Sequence, residues 1–396
     1  RYVMVKILKT KQKSFEKEFC ELLKKRDQDD NKIDATVAKI IEKVRIDSDK
    51  ALLEFTNKFD KFLVKRVEDL IVKKDELENC LKVIKKSTRK SLKKAISRIK
   101  SYHQKQKPSN LMYKDKQGIL LGGIWNPIES VGLYVPGGTA AYPSSLLMNA
   151  IPAIVAGVKR IVVTVPANKG KLNSSVLACC QILGINEIYK IGGAQAIAAL
   201  ALGTPTIKPV DKIFGPGNAF VASAKKQFFG KVGIDMIAGP SEILVIADSK
   251  NNPDHIAIDL LSQAEHDKLA QAILVTDDEI FSKKVLESIK KYLSILERKD
   301  IAQKSWDNYG AIIICDDLIK STELVNRIAP EHLEIAVNQP QKFLKRIKNA
   351  GAIFLGRYTP EAIGDYIAGP NHVLPTDRTA RFSSGLNLLD YYKRSS

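Results

Sequence analysis

From residue 118 onward the chain alternates between two kinds of segment. Short apolar runs at 132–135, 160–165, 187–191, 212–214, 243–247, 272–276, 311–315, 333–337 and 352–355 read as strands. Helical patterns at 144–158, 194–202, 253–267, 279–292 and 322–328 lie between them. Strands separated by helices pair side by side in the same direction, so the alternation predicts a parallel-sheet α/β fold. There are too many strands for one compact doubly wound sheet, and two Rossmann-like domains fit better. No low-complexity linker divides the chain, which leaves room for one domain to be nested in the other. The predicted layout has a helical, basic N-terminal region (1–107) packing on the first domain. That domain, Rossmann-like, is built from 108–133 and 242–378. A second Rossmann-like domain (134–241) is inserted in it, and a short C-terminal extension begins at 379–396.

A length of 396 residues suits one large or two medium domains, and a hydrophobic share of 44% is ample for their cores. The longest apolar run, around 150–158, is too short to cross a bilayer. The first ten residues, RYVMVKILKT, interleave Lys and Arg with apolar residues and offer no clean signal-peptide core. The cysteines at 20, 80, 179, 180 and 315 show no CxxC spacing. Reduced thiols in a cytoplasmic protein are the expectation.

The formal net charge is +19, and residues 1–107 hold 31 Lys and Arg against 17 Asp and Glu. Between Leu81 and Lys107 there are eleven basic residues and no acidic one. A nucleic-acid face is one reading. A solvated helix face is the plainer one: Leu81, Ile84, Leu92, Ala95, Ile96, Ile99 and Tyr102 recur at helical spacing, which packs one side. No aromatics interleave the bases for stacking, so no nucleic-acid partner is expected.

Three glycine-bearing loops follow predicted strands and open helices: Tyr134-Val-Pro-Gly-Gly, Ile191-Gly-Gly-Ala-Gln and Phe214-Gly-Pro-Gly-Asn. Such loops are where α/β sheets bind phosphates. None is a GxGxxG fingerprint, and each alone is equally a tight turn. Three within one segment favour a nucleotide site on the 134–241 unit.

The chain has five histidines, and their company is informative. Gln263 and His266 are three apart on a predicted helix, so they share a face, and both side chains can ligate a divalent ion. Alone, such a pair is more often polar surface. Asp365, in GDYIAGPNHVLPT, would add a carboxylate from far along the chain. Glu331 and His332 are adjacent where a predicted helix gives way to a strand. A helix stop with a surface histidine explains them; so does an acid/base pair, since His moves protons at neutral pH and a neighbouring carboxylate can activate water. HExxH is absent, which disfavours a zincin protease. Cys179-Cys180 lies in an apolar helix and reads as core, which disfavours aldehyde oxidation through a cysteine adduct.

These residues sit in longer segments that carry a resemblance. They are VGLYVPGGTAAYPSSLLMNAIPA (131–153), IGGAQAIAALALGT (191–204), VDKIFGPGNAFV (210–221), IDMIAGPSEILVIAD (234–248), LLSQAEHD (260–267), NRIAPEHLE (326–334), GDYIAGPNHVLPT (364–376) and RFSSGL (381–386). In order and in length, they make the chain similar to the histidinol dehydrogenases. The resemblance implies a homodimeric, zinc-dependent enzyme that oxidises L-histidinol to L-histidine through the aldehyde, reducing two NAD. By motif, Tyr134, Gln195 and Asn218 would contact NAD. Gln263, His266 and Asp365 would bind zinc. Ser241 and His332 would contact substrate together with the three zinc ligands, and Glu331 and His332 would be the acid/base pair. The resemblance further implies a C-terminal tail that brings a His to the partner's zinc and a Glu to its substrate. This chain ends at Ser396, before any such residues. The native protein is expected to continue past it. A relative acting on another small polar alcohol with zinc and NAD would keep the same motifs.

Overall fold

A computed structural model describes residues 5–26, 31–137 and 143–396, and the chain divides into two compact units. Unit one gathers residues 1–28, 238–365 and 374–385; unit two gathers 29–237, 366–373 and 386–396. The strands are β1 (Lys6–Lys9), β2 (Leu111–Lys114), β3 (Leu120–Pro127), β4 (Ser130–Tyr134), β5 (Arg160–Thr164), β6 (Glu187–Tyr189) and β7 (Lys212–Phe214). They continue with β8 (Gly233–Ile234), β9 (Glu242–Ala247), β10 (Gln271–Thr276), β11 (Ala311–Ile314), β12 (His332–Ala336), β13 (Ala352–Leu355) and β14 (Tyr392–Ser395).

Each unit holds one parallel sheet. In unit two the order is β6-β5-β4-β7-β8; in unit one it is β1-β11-β10-β9-β12-β13. Leaving β1 aside, both run third, second, first, fourth, fifth in chain order. That is the Rossmann order, with its switch point between the first and fourth strands. All six residues of EILVIA in β9 and of QAILVT in β10 are buried. A parallel strand covered on both faces reads as an unbroken apolar run, which is why these were visible in the sequence.

The boundaries drawn from the sequence differ from the observed units. Residues 1–107 are divided rather than forming one helical region. β1 and the helix Phe15–Lys24 belong to unit one, while the helices from Asn31–Asp47 to Lys86–Gln104 belong to unit two. β1 is a strand because β11 offers it a parallel edge; four residues of Lys-flanked sequence carry no such signal. Residues 108–133 join unit two, where β4 is the central strand, paired with β5 and β7. The segment from 386 is packed rather than trailing: β14 pairs antiparallel with β3, and buried Tyr391 stacks on Phe214 at 4.2 Å. On the helix Lys86–Gln104, Leu92, Ala95 and Ile99 face the core and every Lys and Arg is exposed, as a solvated face requires. Tyr102, expected on the packed side, is exposed. No helix among the described residues is long and apolar enough to cross a membrane.

Candidate active site

In unit one, the candidate residues collect at the amino edge of the sheet. β9 and β12, the strands flanking the switch point, begin at Glu242 and His332, and His332 registers against Ile243. The helix after β9, Pro253–Ala264, is started by Asn252, whose side chain accepts from the Asp254 backbone N–H, and it runs back so that Gln263 lies in its last turn. The helix ends earlier than predicted. His266 therefore stands beyond it, with its backbone N–H donating to the Gln263 carbonyl at 3.1 Å. Asp365 lies in a π-helical turn, Gly364–Ala368, a wide turn that often marks functional positions.

The pair Glu331-His332 is buried, not a surface helix stop. His332 Nδ1 donates to the Glu242 carbonyl at 2.9 Å, and His332 Nε2 bonds Asp365 Oδ2 at 3.0 Å. Glu361 Oε1 lies 3.8 Å from Nε2, and Glu331 Oε2 lies 3.5 Å from Nδ1. Desolvation works to discharge this ring, but the Glu331 and Asp365 carboxylates outweigh it, and its pKa stands well above the ordinary histidine value. The Glu331 carboxylate accepts the Glu242 N–H at 2.8 Å, and the Glu242 carboxylate accepts the Glu331 N–H at 3.2 Å. Ser241, next to Glu242, is half-buried. His266 is exposed, and desolvation lowers its pKa, while Glu331 and His332 act on it electrostatically.

His332, Glu361 and Asp365 can bring one ligand atom each to within 4.8 Å of one another. Glu361 is tied to the end of the Gln263 helix, because Ser262 Oγ donates to its Oε2 at 3.0 Å. Burial pushes the Glu361 carboxyl up to about 7, with His332 opposing and Asp365 adding to the rise. Glu334, beside Asp259, is likewise raised well above the carboxylate range, by burial first.

In unit two, the three expected nucleotide residues stand at the carboxyl edge of the sheet, around the switch point between β4 and β7. Tyr134 ends β4, and its hydroxyl accepts the Gly193 N–H at 3.2 Å. Gln195 lies in the first turn of the helix Gly193–Leu202 and is buried. A Cβ on Gly193, whose φ is +65°, would crowd the Gln195 amide. Asn218 caps the helix Ala219–Phe228, accepting from Phe220 N at 3.1 Å and Val221 N at 3.2 Å. A Cβ on Gly215 would collide with the Tyr134 backbone, so the two loops pack backbone to backbone. The end of the Tyr134 loop, with Gly138, lies outside the described residues.

The family model for histidinol dehydrogenase matches residues 23–396. The chain belongs to the histidinol dehydrogenase family. A histidinol dehydrogenase of Ruegeria pomeroyi is 53% identical over 99% of this chain and 90% of its own length. One of Rhodospirillum rubrum is 54% identical over 96% of this chain and 87% of its own. The crystal structure of histidinol dehydrogenase from Elizabethkingia anophelis superposes with a TM-score of 0.93 at 37% identity, over 99% of this chain and 89% of that one. An acetylating aldehyde dehydrogenase of Geobacillus thermoglucosidasius, at 13% identity and TM-score 0.50, covers 96% of this chain and 95% of its own; it shares the fold alone.

A dehydrogenase of this family is expected to hold a metal, and two observations fit one here. Gln263 is buried, and its carbonyl oxygen Oε1 has no hydrogen-bond partner among the described residues, an arrangement that costs free energy unless something electropositive arrives. Around His332, the buried Glu331, Glu361 and Asp365 bring together carboxyl oxygens that a cation could use as ligands. Of the other histidines, His372 packs edge-on to Tyr366 in unit two, and His103 is buried against Gln106.

The sequence reading missed Glu361, Glu242 and Arg26. Glu361 stands one helical turn before Asp365, a spacing that places both on one face and could have been noticed. Glu242 follows Ser241 directly and lies just before the strand expected at 243–247, where a single carboxylate gave no signal. Arg26, far away in sequence, gave no signal.

Proposed function

We propose that this enzyme oxidises L-histidinol to L-histidine by way of the aldehyde, in the cytoplasm, with two NAD and one zinc per site, and that it works as a homodimer. The observation that carries this reading is the buried ring of His332, fixed at Nδ1 by the Glu242 carbonyl and at Nε2 by Asp365, with the Glu331 carboxylate alongside. A proton acceptor that must serve two successive hydride transfers has to be held in one orientation through both.

In the first step His332 accepts the proton of the carbinol hydroxyl while hydride leaves the carbinol carbon for NAD. In the second, Glu331 takes a proton from water as its oxygen adds to the aldehyde carbon. The hydrate then loses its remaining carbon-bound hydrogen as hydride to a second NAD. The sum is alcohol, water and two NAD giving carboxylic acid, two NADH and two protons. Gln263, His266 and Asp365 would hold the zinc, which when bound supplies a Lewis acid for the substrate's imidazole and amine nitrogens. Ser241 would touch the substrate from the start of β9. Tyr134, Gln195 and Asn218 would hold NAD, and the absence of GxGxxG supports a modest affinity.

The homodimer is supported by the hairpin of β2 and β3, where Leu111, Met112, Leu120, Leu121 and Ile124 are exposed together, an apolar surface that a second copy would cover. Counting NADH released per molecule of L-histidinol tests the chemistry. Two are expected; one, or none, overturns it. A screen of other small polar alcohols separates this substrate from near relatives.

A further inference from the structure

Glu242 has its two carboxylate oxygens occupied by donors from different parts of unit one. Oε1 accepts Arg26 Nη1 at 2.7 Å and the Asp377 N–H at 3.0 Å, and Oε2 accepts the Glu331 N–H at 3.2 Å. Arg26 is itself anchored, since its Nη2 donates to the Pro240 carbonyl at 2.6 Å. Both side chains of the pair are 6% exposed. The backbone of Glu242 completes the arrangement, its N–H on the Glu331 carboxylate and its carbonyl on His332 Nδ1.

We propose that Glu242, held by Arg26, is the positioning residue for the Glu331 carboxylate. The proposal rests on the reading of Glu331 as the group that activates water. The reasoning is geometric. Glu331 and Glu242 form a reciprocal clasp, each carboxylate on the other's backbone N–H, across the neighbouring strands β9 and β12. Arg26 and Asp377 fix one end of the clasp from outside. The Glu242 side chain accepts the Glu331 N–H and so fixes the residue whose carboxylate activates water, whereas the His332 ring is bonded to the Glu242 carbonyl, which any residue supplies. The side chain should therefore matter to water activation and much less to removal of the alcohol proton.

Glu242→Gln tests this with the shape kept. Donors approach both oxygens, so no orientation of the amide satisfies them: one N–H must face its NH2 group. The expected result, in the zinc- and NAD-supplied enzyme, is a fall in kcat for added L-histidinaldehyde of about 10–100-fold, the usual cost of losing a supporting hydrogen bond. Conversion of L-histidinol to the aldehyde should fall far less, KM should change little, and Glu242→Asp should recover part of the lost rate. A merely structural role would lower both half-reactions together with the melting temperature, and that outcome, like unchanged kinetics, overturns the proposal. If the parent enzyme reduces no NAD with L-histidinol, the functional reading fails. The clasp is then judged from a crystal structure of Glu242→Gln, where displacement of the Glu331 carboxylate from the residue-242 N–H supports it and an unmoved carboxylate rejects it.

Discussion

His332 Nε2 and Asp365 Oδ2 meet at 3.0 Å, while the other nitrogen of the same ring is engaged at 2.9 Å by the Glu242 carbonyl. An acceptor at each nitrogen favours the protonated ring, and the Glu331 and Asp365 carboxylates raise its pKa against desolvation. In the proposed mechanism a metal that draws Asp365 away would lower that pKa and free Nε2 to accept a proton, so the proposed base and the proposed metal ligand are coupled.

His332→Asn should lose both oxidation steps by about 10²–10⁴-fold, the usual worth of a general base. Glu331→Gln should spare alcohol oxidation more than aldehyde oxidation, because only the latter needs activated water. Single-turnover measurements of each half-reaction decide; near-normal turnover by the Asn variant would sink the assignment.

Gln263→Met should leave the metal-free protein as stable as before or slightly more so, because the change deletes a buried carbonyl that has no partner among the described residues. The same variant should lose most of the stabilisation that zinc gives the parent, about 2.7 kcal/mol at a hundredfold excess over Kd. Melting curves with zinc and with a chelator measure both, and an undiminished zinc shift would remove Gln263 from the ligand set.

Asn218 has two proposed duties that can be separated. Asn218→Ala should cost about 1 kcal/mol, since the helix Ala219–Phe228 loses the cap on two backbone N–H groups. Asn218→Ser should restore most of that stability but not the affinity for NAD. Urea melts and NAD titrations of the two variants are the check; a Ser variant with full NAD affinity would reduce Asn218 to a cap.

Asp60, half-buried in unit two, has a carboxyl raised to about 6 by desolvation, which the Gly192 N–H only partly opposes. Its folded pKa exceeds its unfolded one, so between about pH 4 and pH 6 the native state holds the proton more tightly, and stability falls as pH rises through that window. Asp60→Asn removes the decline. Its advantage over the parent should be absent near pH 4 and reach about 1 kcal/mol above pH 6, discounted for solvent at the partly open carboxyl. Urea midpoints at pH 4.5 and pH 7.5 test this, and an advantage independent of pH refutes it.

The sequence by itself determined the local elements and the chemistry on offer. Runs such as EILVIA and QAILVT are apolar because both faces of a parallel strand are covered, so β9 and β10 were legible without a fold. The helix Thr322–Ile328 and the buried Cys179-Cys180 pair were read correctly for the same reason: local periodicity is set by burial on one side. Glu331, His332 and Asp365 were picked out because few residue types can move protons or bind metal. Pairing was decided only by the tertiary structure. That β1 adds to β11, that β4 is the centre of the second sheet and that β14 closes on β3 depend on long-range hydrogen bonds between backbones, which carry no side-chain signature. The same holds for the site. Glu361 and Glu242 join His332, and Arg26 joins Glu242 across 216 positions of sequence, because folding places them side by side; buried charge needs a partner wherever the chain can supply one.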